Sequence, residues 1–225
     1  MSELQQHHLP VQRTARFYSL GPWQSVSQVW IVLHGYSQLA RALLHDAAPL
    51  DNGRRLIVAP EALSRFYLDT NSQGRHSHKV GATWMTREDR DTEIADYVGY
   101  LDYLVGHVEE RLGSLPADVR VLGFSQGGAT AARWVERGKR AAPDLILWGS
   151  LFPEDVLARL GDSSWRDRSV TLVRGQDDVL VSPDLHTAQL KDLERHGIRC
   201  RQRSFAGGHR LDAPTLLALA EEPRF

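Results

Sequence analysis

Short apolar runs alternate with longer amphipathic stretches along this chain. Residues 29–35 (VWIVLHG) are apolar and β-branched and stop at a glycine, the pattern of a strand covered on both faces. Residues 55–61 (RLIVAPE), 119–125 (VRVLGFS), 145–150 (LILWGS) and 170–175 (VTLVRG) repeat it. Residues 199–205 (RCRQRSF) alternate more, which predicts a strand nearer an edge, and 16–20 (RFYSL) predict an antiparallel strand at the start.

Between these runs the apolar period changes to that of a helix. In 88–112, Ile94, Tyr97, Val98, Leu101, Leu104, Val105, Val108 and Leu112 fall on one stripe, and Gly113 follows as a stop. Residues 127–137 are small and helix-compatible and end at Gly138. Residues 184–196 follow Ser182 and Pro183 and stop at Gly197, and 214–221 predict a last short helix. Continuous apolar strands separated by helices imply an α/β fold, a mostly parallel sheet with helices on both faces and right-handed crossovers. The segment 62–87 breaks the rhythm. It is polar with few periodic cues, and is expected to be a long functional or mobile loop over the carboxyl ends of the strands.

Composition narrows the class. A chain of 225 residues suits one domain spanning 1–225, and 42% hydrophobic content is that of a globular protein. Lys plus Arg number 27 against 28 Asp plus Glu, a net charge of -1, so there is no electrostatic case for nucleic acid or an anionic membrane. The single cysteine, Cys200, allows no internal disulfide and fits a reducing compartment. The N-terminus lacks an apolar signal region, and no apolar run reaches the roughly 18 residues of a membrane helix. The expectation is a cytoplasmic protein with no integral membrane association. Nothing in the pattern sets an oligomeric state.

The candidate chemistry lies in residues 122–130 (LGFSQGGAT). Gly123-Phe124-Ser125-Gln126-Gly127 ends a predicted strand and opens a predicted helix, the place of a nucleophile elbow. Such a turn is sharp and crowded, so side chains at 123 and 127 would clash. It lifts the serine hydroxyl above the sheet, beside the positive end of the next helix. A serine needs a base, and in this arrangement an acid and then a histidine follow at the ends of later strands. Asp177 and Asp178 come after VTLVRG, and His209, behind Gly207 and Gly208, comes after RQRSF. An oxyanion needs two donors. The N–H of Gln126 is one, and the loop 33–38 (LHGYSQ) offers the N–H of Tyr36 as the other.

The other histidines read as structural. His34 is expected to shape the backbone, and His45, His107, His186 and His196 fall on helices as surface or core residues. His7 and His8 read as a mobile terminus. His76 and His78, two apart in the 62–87 segment, lack the companion ligands of a metal site, so no metal is expected.

Taken together, VLHGYSQ (32–38), VAPEA (58–62), Trp84, LGFSQGG (122–128), GQDDVLV (175–181) and GGH (207–209) resemble the phospholipase/carboxylesterase group of the α/β-hydrolase superfamily, which includes acyl-protein thioesterases. The resemblance implies Ser125 as nucleophile, His209 as general base and acid, Asp178 rather than Asp177 as the orienting acid, and Tyr36 and Gln126 as oxyanion donors. The chain departs from the family pattern at Ser37, where a glycine is usual, and at Met85-Thr86, where Phe-Asp is usual. Phe66, Tyr67, Trp84 and Met85 are candidates for an apolar substrate wall.

The expected function is hydrolysis of short- to medium-chain carboxylic esters through an acyl-enzyme on Ser125, with a small-molecule ester as partner and no cofactor. Acyl-protein thioesterase or lysophospholipase activity is the enzymatic alternative. A small-molecule binding protein on a hydrolase scaffold is the non-enzymatic one.

Overall fold

The computed structural model describes residues 3–69, 78–140, 144–161, 165 and 167–223. In chain order the elements are β1 (Phe17–Leu20), β2 (Gln28–Leu33), α1 (Ala40–Asp46), a 3-10 turn (Ala48–Leu50), β3 (Arg55–Pro60), β4 (Ser64–Tyr67), β5 (Val80–Thr83), α2 (Arg90–Leu112), β6 (Asp118–Phe124), α3 (Gln126–Arg137), β7 (Asp144–Trp148), α4 (Glu154–Leu157), β8 (Ser169–Gly175), α5 (Pro183–Arg195), β9 (Arg199–Phe205) and α6 (Ala213–Glu221). The main sheet has seven strands in the order β1-β3-β2-β6-β7-β8-β9. Only β1 runs antiparallel in it, against β3; the others are parallel.

The continuous apolar runs are explained by the two faces of this sheet. Alternate residues of one strand enter different cores. Val29, Ile31 and Leu33 pack with Leu56 and Val58 against α2, α3 and α5, while Trp30 and Val32 pack with Ile57 and Ala59 against α1 and α6. The stripe from Ile94 to Val108 is the buried face of α2. Ser182 caps α5 by accepting from the N–H groups of Asp184 and Leu185, with Pro183 at the first position, and Gly197 beyond its end has φ +70°. β9 lies at the sheet edge, as its alternation predicted. Its Arg201 and Arg203 both pair with Glu222, and such charge on an edge discourages pairing with other chains.

The segment 62–87 differs from the expected loop. Ser64–Tyr67 pairs antiparallel with Val80–Thr83 as a two-stranded ribbon, with Ser64 opposite Thr83. Residues 70–77, including His76, lie outside the described residues. The N-terminal segment also differs from a free tail, because His8 Nε2 sits 2.9 Å from Asp89 Oδ1.

At the pole of the sheet away from the carboxyl strand ends, two buried arginines hold the end of α6. Arg55 donates to Ala220 O at 3.4 Å and pairs with Glu221, while Arg120 donates to Leu219 O and, at 2.9 Å, to Glu222 O. These carbonyls have no partner within the helix and carry the negative end of its dipole, so two guanidinium groups suit them. Among the described residues no helix is long and apolar enough to cross a membrane.

Candidate active site

Parallel strands put all their carboxyl ends on one side, and the chemistry gathers there. Ser125 follows β6 and opens α3 with φ +53° and ψ −121°, a conformation that L residues rarely adopt. The crowding around it accounts for the glycines. A Cβ on Gly123 would lie 2.3 Å from Gly127 O, one on Gly127 2.1 Å from Leu33 O, and one on Gly128 2.4 Å from the Ser150 side chain. The turn is held by a bond from Ser125 N to Trp148 O at 2.9 Å.

Asp178 and His209 meet. His209 Nδ1 lies 2.8 Å from Asp178 Oδ2. The other carboxylate oxygen, Oδ1, accepts from the N–H groups of Leu180 at 2.9 Å and Val181 at 3.3 Å. The Asp178 carboxylate is therefore fully engaged, and its residue is only 4% exposed. Asp177, by contrast, is exposed, and its N–H donates to Gly207 O at 2.9 Å. That bond ties the acid loop to the histidine loop. Gly175 permits the close approach, since a Cβ there would lie 2.3 Å from Gly207 O. The His209 ring packs on Phe124, the residue before Ser125, with centroids 4.9 Å apart.

Gly149, which follows β7, was not singled out in the sequence. It has φ +56°, and a Cβ there would lie 2.9 Å from His209 Cε1 and 3.3 Å from Asp178 Oδ2. Its bareness leaves room for the Asp–His pair. The glycine at the end of LILWGS is its only sequence signal.

On the other side lies the loop after β2. Gly35 comes so close to Ser125 that a Cβ there would stand 3.2 Å from the Ser125 Cβ. The Gln38 side chain braces the loop by accepting from Gly35 N at 3.1 Å. Ser37 takes φ +62°, so a serine here adopts the left-handed backbone that glycine enters more freely. Neither the Tyr36 N–H nor the Gln126 N–H is taken by an acceptor among the described residues.

His34 anchors this loop from within. Its Nε2 accepts from Ala62 N at 3.0 Å, so its Nδ1 carries the proton and donates to Gly35 O at 2.8 Å. Burial pushes its pKa below the ordinary imidazole value. His186 in α5 is likewise buried, and burial and Arg174 lower its pKa. The unfolded chain binds protons at these histidines below about pH 6.5, whereas the folded form resists protonation until lower pH. Their stabilisation is thus complete above about pH 6.5 and declines as pH falls below it toward the depressed folded values. The melting temperature should fall between pH 7 and pH 5, and His186→Leu should flatten that slope. An unchanged slope in the variant would contradict this role.

The four wall candidates take different places. Phe66 is half-buried and stacks on Tyr36 with centroids 5.4 Å apart, whereas Tyr67 faces outward and is 54% exposed. Trp84 is 3% exposed; its indole N–H donates to His34 O at 2.8 Å and its ring packs on His34. It also lines a cavity of about 860 Å3 between residues 8–17 and α2, which none of Ser125, Asp178 and His209 lines. Met85 is half-buried, and its sulfur accepts from Arg133 at 3.4 Å. Among the described residues no three His, Cys, Asp or Glu side chains group as a metal site.

The mostly parallel seven-stranded sheet, with helices on both faces, has the α/β-hydrolase fold, and Ser125, Asp178 and His209 lie on the turns and loops after β6, β8 and β9. Solved structures share this fold. A carboxylesterase from Mesorhizobium loti matches with a TM-score of 0.70 at 16% identity, over 92% of this chain and 93% of that one. A carboxylesterase from Bacillus cereus matches at 0.68 and 14% identity, over 92% of each chain. A phospholipase/carboxylesterase from Dyadobacter fermentans matches at 0.64 and 17% identity, over 94% of this chain and 97% of that one. No family model matches the chain, and no curated protein matches it. At these identities the likeness is one of fold.

Proposed function

We propose that this protein is a serine hydrolase of carboxylic esters, with Ser125 as nucleophile, His209 as general base and acid, and Asp178 as the residue that orients His209. The observation that carries this reading is the 2.8 Å bond between His209 Nδ1 and Asp178 Oδ2, with the same histidine stacked on the residue before the strained serine. Asp178 holds the proton on Nδ1 and leaves Nε2 as the basic nitrogen. As Ser125 Oγ bonds to the ester carbonyl carbon, its proton passes to His209 Nε2. His209 then protonates the leaving alcohol, and an acyl-enzyme remains. Water, activated by the same nitrogen, releases the acid and restores the serine. The Tyr36 and Gln126 N–H groups receive the developing oxyanion, each worth roughly a hundred- to a thousand-fold in rate.

Phe66 and Tyr36, stacked beside the oxyanion loop, favour an apolar acyl group of short to medium length. The test is a p-nitrophenyl ester series from acetate to palmitate. Turnover with an optimum at short or medium chains is expected. A flat profile would remove the apolar wall from the reading. Labelling of Ser125 without turnover of any ester would favour a binding protein on a hydrolase scaffold.

A further inference from the structure

A nucleophile elbow asks only a backbone N–H of the residue after its serine, and any residue but proline supplies one. The side chain of Gln126 is nevertheless fully engaged. Its Oε1 accepts from Trp84 N at 3.1 Å, and its Nε2 donates to Met85 O and to Thr83 Oγ1, at 2.9 Å and 3.0 Å. The Thr83 hydroxyl in turn donates to Met85 O at 2.9 Å. The amide thus pairs with residues 84 and 85 as a further strand would, one acceptor and one donor side by side.

The segment it grips is bonded on its other flank to the oxyanion loop. Trp84 Nε1 donates to His34 O at 2.8 Å, and Ser37 N donates to Ala82 O at 2.9 Å. There is no slack at this contact, since a Cβ on Gly81 would lie 2.5 Å from Ser37 O. A chain of bonds therefore runs from the Gln126 side chain through Trp84 to His34 O, two residues before Tyr36. It links the two segments that carry the N–H groups the hydrolase reading needs.

Resting on that reading, we infer that the Gln126 side chain and the Trp84 indole are positioning residues, which set the spacing between the Tyr36 and Gln126 N–H groups. Neither touches the reacting atoms. Glutamine suits the place because it is long enough to reach residues 84 and 85 and carries a donor and an acceptor at once. Glutamate keeps only the acceptor, and methionine fills the space with neither. The arrangement also explains why Trp84 is buried here.

The test uses the full chain carrying Gln126→Met, Gln126→Glu or Trp84→Phe, the last keeping a smaller aromatic ring without the indole N–H. The first readout is the rate of labelling by an alkyl fluorophosphonate. In that reaction the Ser125 Oγ–P bond forms, the P–F bond breaks, fluoride leaves and the serine proton passes to His209. The phosphoryl oxygen takes the oxyanion position. A donor misplaced by an ångström costs about a hundred-fold, so each variant should label about 10- to 100-fold more slowly. Ester hydrolysis should lose kcat without a matching rise in KM, and the pH dependence set by His209 should not move.

The second readout is hydrogen exchange of the Trp84 indole N–H, followed by NMR in wild type and in the two Gln126 variants. It should quicken by about tenfold or more when this chain of bonds is cut. Labelling of Gln126→Met at the wild-type rate, or unchanged indole exchange, would overturn the inference. Should the wild type itself resist the probe, the hydrolase reading fails on its own account, and the indole exchange still decides whether Gln126 holds Trp84. If the Gln126 variants fold poorly, Trp84→Phe carries the labelling test.

Discussion

Ser125→Ala should abolish ester turnover, lowering kcat by about a million-fold, to the residual rate that oxyanion donors and binding alone provide. The substitution removes one oxygen and leaves the turn as it is. Alanine inherits the same φ of +53°, and the turn's anchor, Ser125 N to Trp148 O, is a backbone bond that survives. The variant should therefore melt close to the wild type and still bind a non-hydrolysable ester analogue. The measurement is burst and steady-state hydrolysis of p-nitrophenyl acetate beside a thermal melt. Turnover surviving in a well-folded Ser125→Ala protein would take the nucleophile away from this position.

Asp178→Asn should cost about four orders of magnitude in kcat, and Asp177→Asn almost nothing. The two N–H groups of Leu180 and Val181 point at Oδ1 of Asp178, so an asparagine must turn its carbonyl oxygen toward them. Its NH2 group then takes the place of Oδ2 and donates to His209 Nδ1. That forces the histidine proton onto Nε2, where it cannot accept the serine proton. The charge that would stabilise the imidazolium is lost as well. Asp177 is exposed and meets the histidine loop through its backbone, so its carboxylate is dispensable. Steady-state kinetics on the two variants would decide, and a larger loss at Asp177 would overturn the assignment.

The sheet was legible in the sequence because its strands are buried on both faces. Val29 to Leu33 can only be apolar throughout when alternate residues enter two cores. α5 was legible from Ser182, Pro183 and Gly197, and α2 from its stripe. For α1 the sequence placed His45 on a helix but marked no span, because Leu39 offers no side-chain cap and only Ala40 and Leu43 are buried. The β4–β5 ribbon was not legible either. Its strands are four residues each, and the exposed alternation of Ser64–Tyr67 is faint against a polar background. The order Ser, Asp, His could be read along the chain, since each residue follows a strand. The preference for Asp178 over Asp177 comes from the family resemblance and not from local pattern; in three dimensions one carboxylate is buried against His209 and the other side chain is exposed. Gln126 and Trp84 lie in separate segments, so no local pattern announces their bond. Trp84 looked like a pocket wall because it is large and aromatic; its N–H found a partner in His34 O and drew it inside.

The turn at Ser125 bears on how stable this chain can be. A residue held at φ +53° and ψ −121° costs on the order of 1–3 kcal/mol, against a total of about 5–15 kcal/mol for a folded domain. A glycine at 125 would relieve much of that cost and silence the serine. Under the hydrolase reading, the most stable version of this chain is thus not the active one.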